Sequence, residues 1–253
     1  PQLLAKDAAL FNWAAGELAE LGYSEVNLNL GCPSGTVIAK EKGSGLLRNP
    51  DRLEAFLANV CERSPLPVSV KTRVGIANDD EYDELLALFC RCGIAELIVH
   101  PRVQKDFCSG APRQELYGKT LELAPFPVAY NGDIFTLGDY DALLAAYPQT
   151  RHVMIGRGIV ANPALARMIR GGAGLTREEL KRFHDKLYES YTDDMGGNAV
   201  FRMKEWWSYA EHAFADPPSV HRIMRKTRQA DEYEAAARKI FSTESLADSP
   251  RFS

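Results

Sequence analysis

Leu10, Phe11, Ala14, Leu18 and Leu21 recur at a spacing of three to four residues and predict a helix that Gly22 stops. Residues 25–30 (EVNLNL) then alternate with the two-residue period of a strand. The unit repeats: Asn49 and Pro50 start a helix carrying Leu53, Phe56, Leu57 and Val60, ahead of a strand at 68–73. Tyr82, Leu85, Leu86 and Phe89 form the next helix, ended by Gly93, ahead of a strand at 96–100. Two more strands are predicted at 128–131 and 152–155, with Leu143, Leu144 and Tyr147 on the helix between them.

Strands and helices in steady alternation imply parallel strands joined by crossover helices, either an α/β barrel or a doubly wound sheet. Polar and glycine residues follow nearly every strand, as in Asn29-Leu30-Gly31-Cys32, Lys71-Thr72-Arg73, His100-Pro101-Arg102, Asn131-Gly132-Asp133 and Gly156-Arg157-Gly158. That favours a (β/α)8 TIM barrel, because a doubly wound sheet would gather them at one switch point. From about Leu175 the character changes: Thr176 and Glu179 make a capping box, and only helical patterns follow. The expected organisation is a barrel domain over 1–174 and a small all-helical domain over 175–253. Such a barrel needs eight strands and roughly 250 residues, and only about five strands fit before Leu175. With Pro1 in place of Met, the expectation is that the first strands are missing and the chain starts at the end of an earlier one.

Composition adds exclusions. The 253 residues are 45% hydrophobic and 25% charged, ordinary for a soluble protein, with no apolar run long enough for a transmembrane helix. A net charge of −4 gives no global basic field, so nucleic-acid binding would need a local patch. Five irregularly spaced cysteines argue against a disulfide framework and for a reducing cytoplasm.

Cys32 lies in a glycine-rich loop just beyond a strand, where a thiol can act as nucleophile or general acid, or be only a small buried hydrophobe. Lys71 ends the strand at 68–73, pointing with Arg73 to the same end of the sheet; it could form a Schiff base, pair with an anion, hold a cofactor ring or snorkel. His100 ends the next strand. Gly156-Arg157-Gly158, between the last strand and a helix start, suits a phosphate. Cys90-Arg91-Cys92 lacks metal-site spacing, and no metal is expected. Arg222, Arg225 and Lys226 share one helical face, and Arg202 and Lys204 lie on a neighbouring helix beside Trp206, Trp207 and Tyr209. That set suits RNA, but the residues alone favour a solvated face over a tryptophan core.

Taken in order, these pieces resemble the tRNA-dihydrouridine synthase family. The most specific stretch is Asn27-Leu28-Asn29-Leu30-Gly31-Cys32-Pro33-Ser34, running on to Gly43, Gly45, Leu46 and Leu47. Residues 67–73, 98–102, 130–134 and 154–158 follow in family order, and Arg202-Met203-Lys204-Glu205-Trp206 is more loosely similar. The resemblance implies an FMN-bound barrel that uses NADPH, or NADH, to reduce the 5,6-double bond of tRNA uridines. Cys32 would be the general acid at uracil C5, and Asn29 would line the same pocket. Gln2, Lys71 and His100 would lie on or near the flavin, and Asn131, Gly132, Asp133, Gly156 and Arg157 would hold its ribityl chain and phosphate. Arg202, Lys204, Arg222, Arg225 and Lys226 would meet tRNA. Two departures stand out: the family's amino-terminal Ala-Pro-Met run is absent, and Pro101 stands where many members have Gly. The competing readings are an FMN barrel reductase acting on a free pyrimidine and a catalytically dead RNA-binding remnant. The expected location is the cytoplasm, and the oligomeric state is not legible in the sequence, a monomer being the default.

Overall fold

The computed structural model describes residues 1–247. Its chain order is β1 (Gln2–Leu3), α1 (Ala8–Glu20), β2 (Val26–Leu30), α2 (Gly35–Ile38), α3 (Pro50–Arg63), β3 (Val68–Arg73), α4 (Tyr82–Arg91), β4 (Glu96–His100), α5 (Gln114–Leu123) and β5 (Val128–Tyr130). There follow α6 (Leu137–Ala146), β6 (His152–Val153), α7 (Arg157–Ala161), α8 (Leu165–Ile169), α9 (Arg177–Met195), α10 (Ala199–Ala210), α11 (Pro217–Arg225) and α12 (Ala230–Thr243). Two compact units result: residues 1–132 with 147–154, and residues 133–146 with 155–247.

The first unit holds one sheet of six parallel strands in the order β1-β2-β3-β4-β5-β6. The order never reverses, so there is no switch point of the doubly wound kind, and the succession is that of a (β/α) barrel. The sequence pattern located five of the six strands. The sixth, β1, is two residues long, too short to show a period, and lies where the end of an earlier strand is expected; its pairing is Gln2 with Asn27 and Leu3 with Leu28. Both late strands are shorter than expected, β5 ending at Tyr130 and β6 at Val153.

Alternation decides which face each strand buries. Val26, Leu28 and Leu30 of β2 are fully buried, while Asn27 and Asn29 stand half-buried on the opposite face. On β3 the same face carries Ser69 and Lys71, in register with Asn27 and Asn29. Helix starts follow their caps: Asn49 accepts the Arg52 N–H at 3.0 Å ahead of Pro50, and Asp7 accepts the Leu10 N–H at 2.9 Å. Helix α1 departs from its predicted face. It buries Phe11 and Ala15, Phe11 lying edge-on to Phe56 of α3, and leaves Leu10 and Trp13 64% and 65% exposed.

The second unit contains α6 to α12, with a core of Leu180, Met203, Trp207, Phe214, Val220, Tyr233 and Ile240 among others. Thr176 and Glu179 form the predicted capping box of α9, and the Arg167 guanidinium donates to both oxygens of Glu179 at 2.8 Å. Among the described residues no helix is long and apolar enough to cross a membrane.

Candidate functional site

The Cys32 loop is clamped from both sides. Asn29 Oδ1 accepts the main-chain N–H groups of Gly31 and Cys32, both at 3.0 Å, so the strand turns tightly into the loop. The Cys32 carbonyl accepts from Ser44 Oγ at 2.7 Å, and Ser44 in turn accepts from Gln104 Nε2 at 2.8 Å. Gly43 makes the close approach possible. At φ +56° it lies in the left-handed region, and a Cβ there would stand 3.0 Å from both the Cys32 Cβ and the Cys32 carbonyl. The backbone of a half-exposed thiol is thus fixed while its side chain stays reachable.

Beside it, Lys71 is half-buried on β3, with neither a hydrogen bond nor an ion pair among the described residues. Burial, and after it the charge of Arg73, push its ammonium down to about 8, while the Cys108 and Cys32 thiols pull the other way. Arg73 has a different use from Lys71. Its buried guanidinium donates to the carbonyls of Gly31, Val103 and Phe107 at 2.8, 2.9 and 2.6 Å, tying together the loops after β2 and β4. Arg102 does likewise for the Ser109 and Gly110 carbonyls. His100 is half-buried at the end of β4, its Nε2 3.3 Å from Arg102 Nη1.

Gln2 and Asn29 come together: Asn29 Nδ2 donates to Gln2 Oε1 at 2.8 Å, and Gln2 Nε2 donates to Asn27 Oδ1 at 2.7 Å. Sequence reading passed over Asn27, Ser69 and Glu25, although the spacing of Asn27 and Asn29 on one strand is a signal that both face the same way. Asn131 donates from Nδ2 to the Met154 carbonyl at 2.8 Å. Gly132 has no room for a Cβ, which would collide with the Tyr130 hydroxyl.

Asp133, Gly156 and Arg157 belong to the second unit. There Arg157 donates to Asp133 at 2.6 Å, and its guanidinium lies 5.2 Å from the centre of the Phe135 ring. Gly158 is held against the Ile134 carbonyl, where a Cβ would collide; Gly156 faces open space.

The basic set divides. Arg222, Arg225 and Lys226 are exposed. Arg202 is exposed but ion-paired with Glu205 at 2.8 Å. Lys204 is a capping group instead, its Nζ donating to the carbonyls of Arg225 and Thr227 at 3.0 and 2.8 Å at the end of α11. Trp206 and Trp207 are buried, so these rings pack the core and are not available for stacking on bases. A separate cavity of about 470 Å³ between α9 and α12 holds none of the residues chosen from the sequence. Among the described residues no group of three or more His, Cys, Asp or Glu is placed to share a metal ion.

Parallel strands in barrel order, with a clamped loop thiol, an unpaired lysine and a row of amides beside them, define an α/β protein with its polar site along the strand ends. The chain belongs to the dihydrouridine synthase family, whose pattern, "Dihydrouridine synthase (Dus)", matches residues 1–241. It is 30% identical to a tRNA-dihydrouridine(16) synthase of Neisseria meningitidis serogroup A, over 91% of this chain and 72% of that one. A protein of the same description from Pseudomonas syringae pv. tomato is 34% identical, over 91% and 75%. A "Probable tRNA-dihydrouridine synthase" of Staphylococcus aureus strain Mu50 is 36% identical, over 70% and 56%. Among solved structures, histamine dehydrogenase from Rhizobium sp. 4-9 superposes on 65% of this chain and 27% of its own. The TM-score is 0.49 at 14% identity, too slight a likeness to carry an argument.

Proposed function

We propose that this protein reduces the 5,6-double bond of uridine in tRNA, with FMN as its cofactor and NADPH or NADH as reductant. The observation that carries the reading is the clamped Cys32 thiol beside Lys71 and the Gln2–Asn29 amide pair, in a chain of the dihydrouridine synthase family. These residues fit a flavin. An ammonium without an acceptor among the described residues and amides with unspent N–H groups suit the carbonyl and nitrogen edge of such a ring. When bound and reduced, FMN supplies hydride for uracil C6.

The rest falls to the chain. Cys32 Sγ holds the proton that goes to uracil C5, and Asn29 fixes the Cys32 loop and lines the uracil pocket where it meets the flavin edge, its one remaining N–H turned to that edge. Gln2, Lys71 and His100 hold the ring by hydrogen bonds, and Asn131 and Gly132 take the ribityl chain. On the second unit, the Gly156–Arg157 turn with Asp133 is assigned to a phosphate. The exposed Arg222, Arg225 and Lys226, with Arg202, are assigned to the tRNA backbone. On this reading residues 1–174 form the catalytic part, although 133–146 and 155–174 pack with the second unit; residues 175–253, of which 248–253 lie outside the described residues, form the tRNA-binding part, and the protein works in the cytoplasm, where its substrate is.

The test is reduction of transcribed tRNA by the purified chain supplied with FMN and NADPH, read as dihydrouridine in the nucleoside digest. Cys32→Ala is expected to lower the rate by a factor of about 100 or more while FMN stays bound. A full rate in Cys32→Ala would overturn the role of the thiol. Equal reduction of free uracil would instead favour the free-pyrimidine reductase, and tRNA binding without flavin the catalytically dead remnant.

A further inference from the structure

Five side chains form one continuous row of hydrogen bonds that ends on the Cys32 loop. Gln2, Asn27 and Ser69 stand side by side across β1, β2 and β3, by strand register, and Asn29 follows Asn27 on the same face. Glu25, just ahead of β2, closes the row: Ser69 Oγ donates to its carboxylate at 2.5 Å. Ser69 Oγ accepts from Asn27 Nδ2 at 2.9 Å, Asn27 Oδ1 from Gln2 Nε2 at 2.7 Å, and Gln2 Oε1 from Asn29 Nδ2 at 2.8 Å. Asn29 Oδ1 takes the Gly31 and Cys32 N–H groups.

The direction of this row follows from its ends. Ser69 has a single O–H and spends it on the Glu25 carboxylate, so its oxygen must accept from Asn27. A main-chain N–H can only donate, so Asn29 must turn its oxygen toward the loop. Each end independently requires the same orientation of all three amides, and a row without conflict polarises in one sense. The remaining valences are then countable. Asn29 has spent both lone pairs of its oxygen and keeps one N–H, and Gln2 also keeps one N–H. Ser69 is fully buried and Asn27 half-buried, lining with Gln2 and Glu25 a cavity of about 500 Å³.

We propose that Asn27 and Ser69 are positioning residues that lock Gln2 and Asn29 with their unspent N–H groups side by side. That donor pair takes an acceptor edge of a heterocycle, a carbonyl oxygen or an unprotonated ring nitrogen, and repels an edge that presents N–H. The inference rests on the flavin reading above and specifies which edge chemistry the pair accepts.

Side-chain amide hydrogen exchange in 15N-labelled protein, combined with FMN titration, tests it. In the free protein one N–H of each of Gln2, Asn27 and Asn29 exchanges slowly; added FMN slows the second N–H of Gln2 and Asn29 and not that of Asn27. Ser69→Ala speeds exchange at Asn27 and Gln2 and weakens FMN binding, each about three- to tenfold. Glu25→Gln, whose amide oxygen still accepts from Ser69, stays within about twofold of the parent. FMN that protects neither Gln2 nor Asn29, or Ser69→Ala with unchanged exchange and affinity, overturns the inference. A parent protein that binds no FMN overturns the flavin reading and the ligand named here together; one that binds FMN and reduces tRNA regardless of Ser69→Ala overturns the positioning role alone.

Discussion

Lys71 should make the protein less stable at neutral pH than it would be without it. Its ammonium sits at about 8 in the folded chain against an ordinary 10.5, first because burial strips its water and second because the Arg73 guanidinium lies nearby. At about 1.4 kcal/mol per pH unit, carrying that proton costs the folded state about 3 kcal/mol, a large share of a typical stability. Below pH 8 both folded and unfolded chains hold the proton, so the cost is constant. Between pH 8 and 10.5 the unfolded chain still binds it and the folded chain does not, so this group makes stability rise with pH across that window. Lys71→Met keeps the stem and removes the charge. Urea unfolding should show it about 1–3 kcal/mol more stable than the parent at pH 7, with the gap closing toward pH 10.5. The comparison of two proteins cancels every other alkaline titration. Equal or lower stability of Lys71→Met at pH 7, or a gap independent of pH, would show that the Lys71 ammonium carries no such burial cost. An acceptor bound to the ammonium reverses the shift, so ligand affinity should fall as pH rises through 8.

Three further outcomes are expected. Gly132→Ala and Gly158→Ala drive a Cβ into the Tyr130 hydroxyl and the Ile134 carbonyl and should each cost about 2 kcal/mol or more in thermal unfolding. Gly156→Ala, facing open space, should cost less than about 1 kcal/mol. Joint substitution of Arg225 and Lys226 by Ala should weaken tRNA binding, lower the salt slope by about 2, and leave flavin in place; an unchanged slope would remove them from the interface. Lys204→Met should instead lower stability by about 1–2 kcal/mol through the two carbonyls it leaves at the end of α11, measurable without any RNA.

Local pattern along the chain is enough for the parallel α/β order. Alternation in EVNLNL, the Asn49-Pro50 start and the Thr176–Glu179 box are local rules of backbone geometry and capping, and they act wherever those residues occur. The family too was legible, because Asn29, Gly31 and Cys32 lie within four residues of one another and carry their signal along the chain. What local pattern could not decide was which polar groups are spoken for. Lys204 and Arg225 read alike as basic residues, yet one caps a helix 21 residues away and the other faces solvent. Lys71 and Arg73 also read alike; only the loops returning after β2 and β4 offer Arg73 its three carbonyls, and among the described residues none is left for Lys71. Tertiary structure likewise joined Gln2, Asn27, Ser69 and Asn29 into a directed row. Hydrogen-bond partners tens of residues apart are chosen by the register between strands, which no single stretch of sequence contains.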